Sequence, residues 1–155
     1  MMIVVGVDPD SDKHGVAIYR AGQLSELQQM SLVDLRKWIE TQPAPASENL
    51  FFSIENVLAQ NFVYARNAKS RKAAHAQVAL SVGRCQQAQA ELMRELDAQR
   101  IMYEVHAPSG RNWAKNKDRF EHLTGWTGRS NLDTRSAAYF GWLALQKFGR
   151  EVRRA

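Results

Sequence analysis

The sequence predicts an α/β protein in which a mixed five-stranded sheet is covered by helices. Three observations predict it. The first 30 residues hold three strand-like runs separated by turn chemistry. After them, strand-like runs alternate with helical periodicity, so the order is β-β-β-α-β-α-β-α. The run at 2–7 is β-branched and nearly continuous, the pattern of a strand buried on both faces. A meander followed by strand–helix alternation yields antiparallel and parallel pairs in one sheet.

Residues 2–7 (MIVVGV) form the first strand, and DPDSDKHG supplies turn residues. Residues 15–20 (GVAIYR) form the second strand, Ala21-Gly22 a tight turn, and 23–29 the third. Ser31 reads as an N-cap, with Asp34 three residues on in a variant capping box. Leu32, Leu35, Trp38 and Ile39 then share one helical face. PAPASEN at 43–49 is a loop, and 50–57 (LFFSIENV) is a strand. Residues 58–69 match no single pattern.

From Ser70 to Gln99 the pattern is strongly helical, a rod of roughly 40 Å. Val78, Val82, Cys85, Gln89, Leu92 and Leu96 make its main stripe. Ala76, Leu80, Gly83, Gln87 and Ala90 make a second stripe of mostly small residues. A helix apolar on two sides lies between layers or against a partner chain. Residues 101–106 (IMYEVH) return to strand, and PSG breaks it. Residues 111–123 mix short helix and loop, TGWTGRSN is loop, and Leu132 to Phe148 is the final helix. The first strand is expected to be central, with the 50–57 strand parallel beside it.

A chain of 155 residues and 17.6 kDa is expected to be a single domain, 1–155, that folds without disulfide or metal. Its 45% apolar and 24% charged residues are ordinary for a soluble globular protein. The single cysteine, Cys85, excludes an internal disulfide and is expected in the core. His14, His75, His106 and His122 lack ligand spacing and read as surface or helper residues, with His106 near a strand end. The N-terminus has no signal-peptide pattern and no run approaches a membrane span, so a cytoplasmic protein is expected.

The net charge is +5, and the cations cluster. RNAKSRK holds Arg66, Lys69, Arg71 and Lys72. RNWAKNKDR holds Arg111, Lys115, Lys117 and Arg119 around Trp113. Clustered cations suit a polyanion such as nucleic acid, against the plainer reading of a solvated basic surface. Trp113 suits either stacking on a base or burial against the fold. Trp126, in the TGWTG loop, carries the same two readings.

Three carboxylates hold informative places. Asp8 ends the first strand, Glu55 lies inside FFSIENV, and Asp133 opens the last helix. If the first and fourth strands are parallel neighbours, Asp8 and Glu55 emerge at the same sheet edge, where open α/β sheets place their sites. Glu55 lies among Phe51, Phe52, Ile54 and Val57, and burying a lone carboxylate is costly unless it is paired or binds metal. Oxygen ligands suit Mg²⁺ or Mn²⁺, and two such ions suit phosphodiester cleavage. Each acid also has a plain reading. Asp8-Pro9 would start a turn, Glu55 would face solvent or pair with Arg, and Asp133 would complement the helix dipole.

VVGVDPDSDKHGVAIY, FFSIENV and NLDTRSAAYFGWLAL together resemble the RuvC family of Holliday-junction resolvases, within the ribonuclease H-like nucleases. The resemblance spans roughly residues 2–148 and rests on motif order and spacing: 47 residues from Asp8 to Glu55, then 78 to Asp133. It implies a ribonuclease H-like fold, with Asp8, Glu55 and Asp133 as catalytic ligands of two Mg²⁺ (or Mn²⁺) ions. It implies that Lys115 and Lys117 contact the cleaved strand. It also implies a homodimer, with the helix at 70–97 supplying much of the interface. The chain departs from the family at three positions. Ser136 stands where a second acid is usual, Asp10 where the turn usually has Gly, and Leu58 where an aromatic is common. Phe62 and Tyr64 follow Leu58 closely.

The expected function is therefore metal-dependent cleavage of branched DNA, a four-way junction foremost. A structured-RNA nuclease with the same acids is the nearest rival. An inactive module that binds branched nucleic acid is the second class, motivated by Ser136. A sugar-kinase or actin-like ATPase needs two such domains, and no second copy of the motif is present.

Overall fold

The computed structural model describes residues 2–59 and 72–154. Five strands form one sheet: β1 (Ile3–Asp8), β2 (His14–Arg20), β3 (Gln23–Met30), β4 (Leu50–Glu55) and β5 (Met102–His106), in the order β3-β2-β1-β4-β5. The helices are α1 (Leu32–Glu40), α2 (Ala46–Asn49), α3 (Lys72–Ala98), α4 (Lys117–Thr124) and α5 (Leu132–Arg154). As expected, β1 is central. It pairs antiparallel with β2 and parallel with β4, and β4 pairs parallel with β5. The expected loop at 43–49 contains the single turn α2, and the final helix runs further than its apolar pattern. Among the described residues no helix is long and apolar enough to cross a membrane.

Period-2 alternation divides the core into two layers. Ile3, Val5 and Val7 of β1, with Leu50, Phe52 and Ile54 of β4, pack with Leu35 and Ile39 of α1 and Leu92 and Leu96 of α3. Val4, Ala17, Tyr19 and Phe51 pack on the other face with Ala137, Ala138, Phe140 and Ala144 of α5. Asp8 and Glu55 share this second parity, so both lie on the α5 side.

Helix α1 starts as its sequence directs. Ser31 Oγ accepts from Asp34 N (3.1 Å), and Asp34 Oδ2 accepts from Ser31 N (3.1 Å). Helix α5 comes unusually close to the sheet. A Cβ on Gly6 would meet the Ala137 carbonyl oxygen and stand 2.7 Å from Gly141 N, so only glycine admits the helix there. Two buried hydroxyls fix it across the strands: Tyr19 Oη donates to Ala138 O (2.6 Å) and Ser53 Oγ to Phe140 O (2.7 Å).

The main stripe of α3 is buried only in its second half, at Gln89, Leu92 and Leu96. Val82 and Cys85 are half-buried, and Val78 is exposed. On the second stripe Leu80 is 50% exposed, and a Cβ on Gly83 would meet nothing within 4 Å. The start of α3 thus projects, with Val78 and Leu80 exposed.

Candidate active site

The parallel register of β1 and β4 aligns Val7 with Ile54, so the next residues, Asp8 and Glu55, sit side by side at the carboxyl edge. Asp8 also pairs with Gly15 of β2, so it belongs to the ladder as well as opening the turn. Glu55 is 9% exposed. Burial, then the charge of Glu55, pushes Asp8 well above the usual carboxylate range. Burial is also the main cause that raises Glu55.

Asp133 reaches this edge because β2 carries glycine opposite it. A Cβ on Gly15 would meet the Asp133 carbonyl, so the first turn of α5 rests directly on the strand. Burial, then the charge of Asp10, raises the Asp133 carboxyl. Gln29 Nε2, on β3, lies 3.5 Å from Asp133 Oδ2. The cleft that results has a volume of ≈ 300 Å³ and brings together Asp8, Asp10, Glu55, Asp133, Ser136 and Cys85. Asn112 and Ala114 close it from the loop after β5.

Ser136, one turn along α5 from Asp133, points at the acid pair. Its Oγ donates to Glu55 Oε2 (3.4 Å) and accepts from Asn112 Nδ2 (2.8 Å). Its hydroxyl also lowers the Asp8 carboxyl against the stronger pull of burial. Asn112 is itself fixed, since Ala114 N donates to its Oδ1 (2.6 Å). Arg135 Nε holds the Ala114 carbonyl (3.0 Å). The loop is therefore pinned to α5.

Hard oxygen donors and mutual repulsion are what a divalent cation relieves. A carboxyl group raised by burial and by a neighbouring acid gives up its proton to a cation of higher charge. The ion pairs of the described residues, Arg36–Glu95, Lys147–Glu104 and His106–Glu104, involve none of the cleft acids. Among the described residues no three Asp, Glu, His or Cys side chains converge tightly enough to enclose an ion by themselves. Asp8 and Glu55 are the residues whose oxygens could hold Mg²⁺ or Mn²⁺, and Asp133 lines the same cleft.

The basic candidates divide. Arg66, Lys69 and Arg71 lie outside the described residues, as do Phe62 and Tyr64, and Lys72 begins α3. Lys115 and Lys117 do not line the acidic cleft. Lys115 lines a neighbouring pocket with Arg111 and Arg119, and exposed Lys117 opens α4. Trp113 corrects the stacking expectation. It is 1% exposed, within 5.5 Å (centroids) of Tyr139 and 5.3 Å of Trp142, so burial holds its ring. Trp126 Nε1 donates to Arg129 O (3.0 Å) within its own loop. His106 stands beside Glu55 in the β4–β5 register, and its Nε2 lies 2.8 Å from Glu104 Oε1.

His14 also corrects the sequence reading. It is buried, and its Nδ1 accepts from Asp10 N (3.2 Å), which shapes the turn beneath the cleft. Burial lowers its pKa and favours the neutral ring that this bond needs. Its place in the apolar alternation of β2 was the available signal. Asn112 carried none, since its role depends on how the loop crosses α5.

No protein-family model matches the chain, and no curated protein matches it. Solved structures share its fold, two of them of Thermus thermophilus RuvC. Thermus thermophilus RuvC in complex with a Holliday junction substrate matches with a TM-score of 0.57 and 13% identity, covering 96% of each chain. A second Thermus thermophilus RuvC structure matches with a TM-score of 0.55 and 12% identity, covering 96% of this chain and 97% of that one. The chain therefore has a RuvC-like fold.

Proposed function

We propose that the protein is a metal-dependent endonuclease of the RuvC-like superfamily that cleaves branched DNA, foremost a four-way junction, by phosphodiester hydrolysis. One observation carries the reading: the desolvated, unneutralised pair of Asp8 and Glu55 at adjacent carboxyl ends of parallel strands. Asp133 and Ser136 enter the same cleft from α5. The choice of branched DNA is supported by the substrate in the RuvC complex that shares the fold.

Asp8 and Glu55 would hold the metal, with Asp133 lining the same cleft. Bound divalent cations supply Lewis-acid activation of water and charge stabilisation on the leaving oxygen. The Ser136 hydroxyl, backed by Asn112, orients Glu55. Arg111, Lys115 and Arg119 draw the phosphate backbone toward the cleft. We also propose a homodimer through the projecting half of α3, supported by exposed Val78 and Leu80 and by the open surface at Gly83. One observation favours a second reading, a module that binds branched nucleic acid without cutting it: Ser136 supplies a hydroxyl where a carboxylate would add metal affinity.

The test is a labelled four-way DNA junction, a matched duplex and a structured RNA, each with Mg²⁺, Mn²⁺ or EDTA, beside Asp8→Asn. Metal-dependent paired nicks in the junction alone, lost in Asp8→Asn, are the expected result. RNA cleavage would move the substrate and keep the chemistry. Tight junction binding with no cut under either ion would leave the binding module.

A further inference from the structure

A second pocket lies beside Trp113. It has a volume of ≈ 630 Å³, within the range of small-molecule sites. Trp113, Tyr139 and Trp142 form its aromatic side, with Trp142 only half-buried. Arg111, Lys115 and Arg119 form its rim, and all three are exposed.

Two chemical features define the occupant. First, every polar side chain free to bind there is a donor. No Asp or Glu lines the pocket. The Oδ1 of Asn116 already accepts from Arg119 N (3.1 Å), which leaves its amide hydrogens. Asn112 is committed at both ends, to Ser136 and to Ala114. The rim cations make no ion pair among the described residues. Second, half-buried Trp142 is the accessible ring of the aromatic side, with Trp113 and Tyr139 buried behind it. The matching ligand has acceptor oxygens at one end and a planar ring at the other, which describes a nucleotide.

Its position says which nucleotide. Asn112 lines both this pocket and the acidic cleft. The two sites share one wall, and Asn112 and Arg135 make that wall rigid. We propose that this pocket receives an unpaired nucleotide of the strand engaged at the acidic cleft, its phosphate at Arg111, Lys115 and Arg119 and its base against Trp142. The proposal rests on the nucleic-acid reading above and adds a site that holds one base outside the duplex. A branch point supplies such a base at little unpairing cost.

The test uses a dT tetranucleotide, the same backbone with abasic sites, and free dTMP, each titrated by fluorescence anisotropy or competition in EDTA. Wild type should bind the base-bearing strand about tenfold tighter than the abasic one. Trp142→Phe should keep most of that preference. Arg111→Ala/Arg119→Ala, altered only at exposed side chains, should weaken both strands while the circular dichroism stays unchanged. Junction cleavage runs in parallel. Equal binding of base-bearing and abasic strands by a protein that still cuts junctions would overturn the pocket and leave the nuclease. Base-dependent binding by a protein that cuts nothing would support the pocket and remove the nuclease. Competition by dTMP equal to that of the tetranucleotide would overturn the assignment to a strand.

Discussion

Ser136 shows how one side chain sets the charge of a site. A carboxylate at 136 would add a further negative charge beside Asp8, Glu55 and Asp133, where burial already makes charge costly. The hydroxyl instead donates to Glu55 and leaves the pair in need of one proton or one cation. Ser136→Asp is expected to lower Tm in EDTA and to give a larger Tm rise than wild type on adding Mg²⁺ or Mn²⁺, by mass action on the folded state. Ser136→Ala leaves the amide of Asn112 without its acceptor and should cost about 1–3 kcal/mol. Differential scanning calorimetry with and without metal separates the two. Equal metal shifts in wild type and Ser136→Asp would remove Ser136 from the metal site. The sequence showed that this position lacks an acid. The bonds through Asn112 lie 24 residues apart in the chain and became visible only with the loop in place.

Among the elements, α5 decides whether the site exists. It delivers Asp133 and Ser136 from one face, and its depth is set by what it rests on. Gly6 and Gly15 lie beneath it, Gly141 lies within it, and Tyr19 and Ser53 hold its carbonyls. Gly6→Ala would force the helix away from the sheet, since the new methyl meets backbone that cannot rotate aside. The expected cost is about 3 kcal/mol or more, roughly 6–12 °C in Tm for a chain of this size. Gly149→Ala, on the same helix with nothing within 4 Å, is the control. It should be neutral or stabilise by up to about 1 kcal/mol. A Gly6→Ala protein as stable as wild type would show that this close approach is dispensable. The helix itself was legible from Ala-rich periodicity, and so was Asp133 at its start. Its depth was not, because a glycine in a strand does not say what lies above it.

For the whole molecule, the projecting half of α3 is the open question of assembly. Val78 is 38%, Leu80 50% and Leu58 45% exposed. Dimerisation through α3 would cover Val78 and Leu80, so wild type is expected to sediment at twice 17.6 kDa at micromolar concentration. Leu80→Glu should sediment as a monomer with unchanged circular dichroism. A monomeric wild type would end the homodimer proposal. By itself the sequence determined the opening meander, the central place of β1 with β4 parallel beside it, and the meeting of Asp8 with Glu55. Those follow from local patterns: apolar runs, turn residues and the parallel crossover, each written in neighbouring positions. Only the tertiary structure decided that His14 and Trp113 are buried, that Ser136 bonds Glu55, and that Lys115 faces a pocket beside the acids. Those depend on how the 107–116 loop and α5 lie over the sheet, and packing between segments distant in sequence sets that.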